Sequence, residues 1–391
     1  MLNILYILSS TNITGGASKS FINMLHHLSE EGIEATIVVP NREGLYQDFK
    51  EQGIHTEAIL YRMAVYPPCK SFKDMLLWFP RLCGRILVNC LAIWSVQQLC
   101  KQIHPDIIHT NVSVIDIGFR AAQHLHIPHI WHIREYGDLD FHLYHYPSRR
   151  YQLKHYTANN SYTICITRDI QRHNKLEKWP YSRVIYNGIL TQHNMPSTIT
   201  KEPFLLFAGR IEPAKGLREL LCAYIHYTKV AQNSLPLYVV GAVCDKKYFN
   251  ELQDLIGISD IKDKILFAGE QKDIDSWEKR ATAVVIPSLN EGFGRVMPEA
   301  MYNRTLVIAH NTAGTKEQLE NGRLLTGNDI ALHYETEDEL VQHLINVTDT
   351  PQEKFAQIIE NAYTIVAQLY TIEQNAQQVY QFYQEICSRN S

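Results

Sequence analysis

Short apolar runs alternate with amphipathic helical stretches in this chain, and the alternation starts twice. Residues 4–8, 35–39, 106–109, 129–132, 162–166 and 183–186 read as strands. Helical spacing lies between them, as in the stripe Phe21, Leu25, Leu28 and in residues 115–125. The rhythm restarts at 204–208 and runs on through 237–241, 265–269, 284–287 and 305–309, with a helix over 216–230. Strands that alternate with helices form parallel sheets, because each parallel step needs a long crossover. The pattern therefore predicts an α/β chain of two doubly wound, Rossmann-like parallel-sheet domains. The polar stretch 187–201, with Gly188 and Pro196, reads as a linker, so the domains are expected over 1–187 and 188–371. Open sheets bind ligands outside the carboxyl ends of their strands, which places a ligand in the cleft between the domains. The tail 351–387 reads as helical, either one helix on the second domain or a segment crossing back to the first.

A length of 391 residues suits two cores, and the 45% hydrophobic and 20% charged content is that of a globular chain. The net charge of −4 gives no global field toward nucleic acid. The eighteen histidines are scattered without metal-ligand spacing, and no metal site is expected. The eight cysteines form no CxxC, and several lie in apolar runs, which suggests a reducing compartment. The first eight residues lack the basic region and cleavage site of a signal peptide, and no segment reaches the ~20 uninterrupted apolar residues that span a bilayer. The expectation is a cytoplasmic protein, peripheral on the inner face of the cell membrane if it touches one. The segment 70–101 interleaves residues such as Trp78, Phe79 and Trp94 with Lys73, Arg81 and Arg85. It reads as a buried core helix with a charged outer face, or as a basic interfacial helix that meets a membrane.

Three segments carry chemistry. The run 288–301 follows an apolar strand and sets Glu291 and Glu299 on either side of the Gly292-Phe293-Gly294-Arg295 turn. The expected strand, loop and helix start would offer backbone N–H groups to an anion, and glycine lets that backbone come close. Two acceptor-only carboxylates there suit a ligand with both phosphates and hydroxyls, such as a nucleotide sugar. The alternative is a pair of ordinary solvated helix-start glutamates. Gly209-Arg210 and Lys215-Gly216 lie between a strand and a helix; arginine forks two phosphate oxygens and lysine supplies a point charge, although either can be a plain surface cation. Gly15-Gly16 sits at the same kind of junction after the first strand, and is not a GxGxxG fingerprint. His132 and His109 end neighbouring strands, where a structural hydrogen bond competes with a functional role.

Taken together, Phe207-Ala208-Gly209-Arg210 with Lys215-Gly216, Tyr186-Asn187-Gly188-Ile189 and the Glu291 to Glu299 segment resemble the retaining GT-B glycosyltransferases of family 4. The likeness extends to Ile108-His109-Thr110-Asn111 and Ile127 through Glu135, which resemble members from bacterial surface-polysaccharide pathways. The resemblance implies the GT-B fold, with its last helix crossing back so that 372–391 joins the first domain. It implies that Arg210 and Lys215 hold a donor diphosphate and Glu299 the ribose. Glu291 would meet the sugar hydroxyls, with backbone groups of Gly292, Phe293, Gly294 and Arg295 nearby. Gly16 beside Gly15 would approach the diphosphate, His132 the transferred sugar, and the base would lie near Gly269, Glu270 and Gln271. No cofactor or metal is implied beyond the donor itself, a UDP-sugar for preference, and the partner is a glycan or lipid-linked acceptor. Two departures stand out. Gly314-Thr315-Lys316-Glu317 lacks the usual proline, and the customary His-Asp pair is replaced by His132-Ile133-Arg134-Glu135. The expected activity is retaining, metal-independent sugar transfer in capsule, exopolysaccharide or lipopolysaccharide synthesis. A nucleotide-sugar 2-epimerase of the same fold and a silent nucleotide-sugar binder are the alternatives.

Overall fold

Strands buried on both faces build two parallel sheets in this chain. The computed structural model describes residues 2–13, 15–69, 71–191, 200–259 and 261–390, so part of the expected linker, 192–199, lies outside the described residues. Contacts divide the chain into Met1–Gly188 with Ile372–Ser391, here unit 1, and Ile189–Thr371, unit 2.

Unit 1 holds β1 (Leu2–Ile7), β2 (Ile33–Val39), β3 (His55–Ala58), β4 (Ile107–Thr110), β5 (His129–Ile133), β6 (Ser161–Cys165) and β7 (Ser182–Val184). They pair in the order β3-β2-β1-β4-β5-β6-β7, and the order reverses between β1 and β4. The register sets Ile4 opposite Ala35 on one side and Ile107 on the other. Side chains of β1 alternate between two cores, as a period of two requires. Ile4 and Tyr6 pack with helix α1 (Gly16–Glu30), whereas Leu5 and Ile7 pack with α2 (Phe72–Ile103) and α3 (Ile117–Leu125).

Unit 2 holds β8 (Glu202–Ala208), β9 (Leu237–Val240), β10 (Ile265–Gly269), β11 (Ala281–Ile286), β12 (Leu306–His310) and β13 (Leu332–Tyr334) in the order β10-β9-β8-β11-β12-β13. Its order reverses between β8 and β11. Helix α4 (Leu217–Val230) follows β8, α5 (Val296–Tyr302) follows β11 and α6 (Ala313–Thr326) follows β12. The edge strands β3 and β13 were not expected from the sequence. His-Thr-Glu-Ala is polar and Leu-His-Tyr spans three residues, so neither shows an apolar run.

The tail is two helices rather than one. Helix α7 (Ala356–Leu369) packs on α5 and α6, and the chain breaks at Tyr370 and Thr371. Helix α8 (Ile372–Asn390) then inserts Val379, Phe382, Tyr383 and Ile386 into the core beneath α1.

Helix α2 departs from both readings of its sequence in one respect. Its inner face, with Asn89, Ala92, Val96 and Leu99, is buried against α3 and the sheet. Its outer face is apolar rather than charged: Phe72, Leu76, Phe79, Leu87 and Trp94 are each more than 60% exposed. With Met75, Ile86 and Leu91 they form one stripe at helical spacing. By length and composition alone α2 could cross a membrane, with a mean hydropathy of 1.5 over its most apolar window. Arg81, Arg85 and Lys73 interrupt the run, which is why a count of uninterrupted apolar residues passes over it.

The unit 1 core also buries charge-capable groups. Burial pushes His109 down to about 3, His145 and His155 to about 4, and His129 and His132 well below the usual value. Such histidines bind fewer protons folded than unfolded, so their stability is complete above about pH 6.5 and lost as pH falls toward the folded values. Glu135 acts oppositely. Burial raises it to about 7, so the folded state keeps a proton that the unfolded chain releases above about pH 4.5. Five histidines outweigh one glutamate. The melting temperature of unit 1 at pH 5 is expected to fall about 5 °C or more below that at pH 7.5; scanning calorimetry showing no acid-side loss would contradict these burials. Phe382→Ala is expected to cost unit 1 about 3–5 kcal/mol in a denaturant titration, with the transition of unit 2 unmoved.

Candidate functional site

In unit 2 the loops after β8 and β11 meet at the point where the strand order reverses, the position at which open α/β sheets bind ligands. The amide of Leu289 donates to the carbonyl of Ala214 at 3.0 Å, joining the two loops directly. Gly216 takes φ +68°, and a Cβ there would lie 1.9 Å from the carbonyl oxygen of Pro287. Only glycine fits this crossing. A third loop, after β12, closes on the same place: the amide of Gly314 donates to Glu291 O at 2.9 Å, and a Cβ on Gly314 would strike that oxygen and Gly292 O. Gly314, which keeps its place with Glu317 in the altered Gly-Thr-Lys-Glu motif, is thus a residue the packing needs.

Three loops in register bring the expected side chains together. Lys215 closes a short 3₁₀ turn and its Nζ pairs with Glu291 Oε1, which also accepts the Ser288 hydroxyl at 3.0 Å. Arg210 leaves the end of β8 and its Nη2 lies 2.7 Å from Glu212 Oε1. Arg295 donates to Glu299 Oε1 at 2.9 Å. Lys215, Glu291, Arg295 and Glu299 are partly buried, so each pair stands half out of water while Arg210 remains the more open cation. Phe293 is buried, and the side-chain amide of Gln318 binds its carbonyl and that of Gly294, which fixes the turn.

Two details differ from the sequence reading. Helix α5 has only seven residues, and Glu291 lies ahead of it in the loop; Glu299 alone is in its first turn. Glu270 sits past the edge strand β10, two strands from β8, roughly 10 Å away by strand spacing. The ends of these strands are nonetheless joined: Gly241 donates to Gly269 O at 2.8 Å, and its own Cβ position lies 1.8 Å from Gly209 O. Among the described residues no group of three or more His, Cys, Asp or Glu is placed to hold a metal ion.

Unit 1 carries the remaining residues. Gly15 caps α1 and Gly16 is its first residue. Gly15 has an ordinary φ of −66°, and a Cβ there would meet nothing closer than 3.7 Å, so the protein's own packing does not demand glycine. His132, at the end of β5, is fully buried in a polar chain. Its Nδ1 lies 3.1 Å from His109 Nε2 and accepts from Arg134 Nη2 at 3.3 Å. His109 Nδ1 lies 2.5 Å from the hydroxyl of Tyr383 on α8, and that hydroxyl is 3.2 Å from Tyr6. Hydrogen-bond logic assigns the protons. A guanidinium can only donate, so His132 Nδ1 is an acceptor and the ring proton is on Nε2. His109 must then donate from Nε2 and accept the Tyr383 hydroxyl at Nδ1. His132 Nε2 has no hydrogen-bond partner among the described residues. Burial and the Arg134 charge hold both rings neutral.

Arg134 is itself gripped by Asn111 at 2.9 Å and Asn187 at 2.6 Å, while Glu135 turns away to accept both the amide and hydroxyl of Ser113 at 2.7 Å. The sequence reading missed Tyr383, Gln318 and the crossing roles of Gly216, Gly241 and Gly314. Tyr383 lies 274 residues from His109, with nothing local to signal the pairing. For Gly241, its place directly after β9 was the available signal.

Two family descriptions match the chain: glycosyltransferase family 4 over residues 14–193, and glycosyl transferases group 1 over 191–365. The lipopolysaccharide core biosynthesis mannosyltransferase LpcC of Rhizobium leguminosarum bv. viciae is 32% identical over 130 residues, 32% of this chain and 35% of that protein. The O-antigen chain mannosyltransferase RfbU of Salmonella typhimurium is 31% identical over 148 residues, 37% of this chain and 40% of that protein. The matches thus span less than half the length of these curated relatives. In three dimensions HepE of Anabaena, crystallised in complex with UDP, superposes with a TM-score of 0.77 over 98% of this chain and 100% of its own, at 19% identity. Because the two descriptions run end to end across both units, and the fold is shared over nearly the whole length, the chain belongs to the family 4, group 1 glycosyltransferases of GT-B fold.

Proposed function

We propose that this protein moves a sugar from a nucleotide-sugar donor, a UDP-sugar for preference, to a hydroxyl of a glycan or lipid-linked acceptor in cell-surface polysaccharide synthesis, with retention of anomeric configuration. The observation that carries it is the Leu289–Ala214 bond, which joins the loop of Arg210 and Lys215 to that of Glu291 at the switch point of the unit 2 sheet and sets Lys215 against Glu291. The names of the mannosyltransferase relatives support the pathway, and the UDP held by HepE supports the donor class.

In this reading the bond between the anomeric carbon and the diphosphate oxygen breaks, and its electron pair stays on the diphosphate. The acceptor oxygen attacks from the same face, and its proton passes to the departing phosphate oxygen. Arg210 and Lys215 offset the growing negative charge, a task for fixed cations that needs no metal. Lys215 is already aimed by Glu291, so little reorganisation is needed when a diphosphate takes its place in that pair. Glu291 then turns its acceptor oxygens to sugar hydroxyls, and Glu299 to the ribose. From unit 1 the family resemblance assigns Gly16 to the diphosphate and His132 to the sugar, and the Nε2–H tautomer suits a hydroxyl acceptor. The stripe on α2, flanked by Lys73 and Arg81, supports peripheral contact with an anionic membrane.

Two measurements test this. With EDTA present, slow release of nucleotide from one UDP-sugar is expected from the wild type, and Arg210→Ala with Lys215→Ala should lower it by roughly 10²–10³ or more while weakening UDP binding. Unchanged UDP affinity in that double variant would remove the phosphate-site assignment. For the membrane, Phe79→Ser with Trp94→Ser should cut sedimentation with phosphatidylglycerol vesicles about tenfold at low salt and leave the melting temperature within a few degrees. Equal sedimentation would mean that this face does not meet lipid.

A further inference from the structure

Unit 1 contains a cavity of about 540 Å³ that shares no residue with the constellation of unit 2. It opens at the carboxyl ends of β1, β2 and β3, beside the switch point of their sheet, and its size is that of a small-ligand site. Arg62, just past β3, and Arg85, on α2, line it with Ser9, Ser10 and Asn41. Leu60, Met63 and Ile115 supply an apolar wall, and among the described residues no carboxylate lines it.

The two arginines are held, and their charge is left over. Asn89, one helical turn after Arg85 and buried, clamps the backbone of Arg62 from both sides, accepting from its amide at 2.8 Å and donating to its carbonyl at 3.0 Å. Arg85 spends one N–H on the carbonyl of Val65 at 2.9 Å, which leaves four of its five donors. Arg81 nearby is neutralised by Asp74 at 2.6 Å, but among the described residues neither Arg62 nor Arg85 has such a pair. Burial, together with repulsion by Arg62 and Arg81, disfavours the charge on Arg85. Two like charges on one cavity wall are an arrangement that a bound anion relieves. The apolar wall asks for more than a bare anion. It suits carbon next to the charge.

We infer that this cavity is an acceptor subsite that seats the phosphate of an amphipathic, lipid-phosphate acceptor, with Arg62 and Arg85 as its ligands. The inference rests on the transferase reading above, and deepens it by naming the acceptor's charged group. The same arginines would take a phosphate on a soluble acceptor, so the source must be separated from the chemistry.

The full-length protein is titrated calorimetrically with geranyl phosphate, inorganic phosphate and geraniol, and separately with UDP. Geranyl phosphate is expected to bind tightest, and Arg62→Gln with Arg85→Gln should weaken it about tenfold or more while leaving UDP affinity unchanged, which also shows that the variant is folded. The Arg210→Ala, Lys215→Ala variant should show the reverse, so a failure of the donor site cannot be mistaken for a failure of this one. Inorganic phosphate binding as tightly as geranyl phosphate, and lost in the Arg62 and Arg85 variant, would keep the anion site but overturn the lipid assignment. Geraniol binding as well as its phosphate, no binding of geranyl phosphate, or equal affinity in the glutamine variant would overturn the inference.

Discussion

Much of unit 2 depends on one backbone hydrogen bond, from the amide of Leu289 to the carbonyl of Ala214. It can form only because β8 and β11 are neighbours, so that two loops 75 residues apart in sequence leave the sheet side by side. Gly216 then passes against Pro287, and Gly314 against Glu291, with no room for a side chain at either crossing. Gathering Arg210 and Lys215 in a half-buried place is unfavourable by itself. Glu212 and Glu291 offset that by standing against them, and the same carboxylates keep the cations aimed before any ligand arrives.

Unit 1 solves a different problem, that of holding neutral imidazoles beside a guanidinium. Arg134 lies against His132, and an imidazolium there would face a like charge out of water. Neutrality fixes the tautomers, and the tautomers run from Arg134 through His132 and His109 to a hydroxyl on the last helix. Tyr383 is therefore more than filling. It couples the orientation of a strand-end histidine to whether α8 is docked, and the apolar side of α8 secures that docking through Val379, Phe382 and Ile386.

The interior strands were legible because parallel strands covered on both faces read as continuous apolar runs, as in Phe204 to Ala208. Two of the four edges, β3 and β13, were not: His55 to Ala58 needs only one neighbour and one buried face, and its sequence looks like a loop. At the site, residue types at strand ends drew attention to Arg210, Lys215, Glu291 and Glu299, because phosphate and hydroxyl chemistry favours those types, and the structure places them on adjoining loops and the start of α5. What the types could not give was pairing. That Lys215 stands on Glu291, or that Arg62 and Arg85 share a wall, follows from topology that no local pattern encodes. The outer face of α2 was misread for a related reason: the interleaved cations looked like its solvent side, whereas Arg85 points to the cavity and the aromatics face out.

The overall charge of −4 hides this placement. Total charge governs solubility and long-range attraction, but recognition is set within a Debye length of about 10 Å. Over that distance the carboxylate-free cavity of unit 1 and the paired cations of unit 2 are different environments. In unit 2 Arg210, Lys215 and Arg295 each have a carboxylate within reach, so a diphosphate bound there as proposed would compete for them and its gain would be a difference between two pairings. In unit 1 the inferred anion would meet two guanidiniums in a cavity that, among the described residues, no carboxylate lines, and its gain would be direct. A donor that must bind, react and leave as a more charged diphosphate is better served by the first arrangement, since full neutralisation would trap the product. If the unit 1 cavity seats the acceptor as inferred, an acceptor that must wait for the donor is better served by the second.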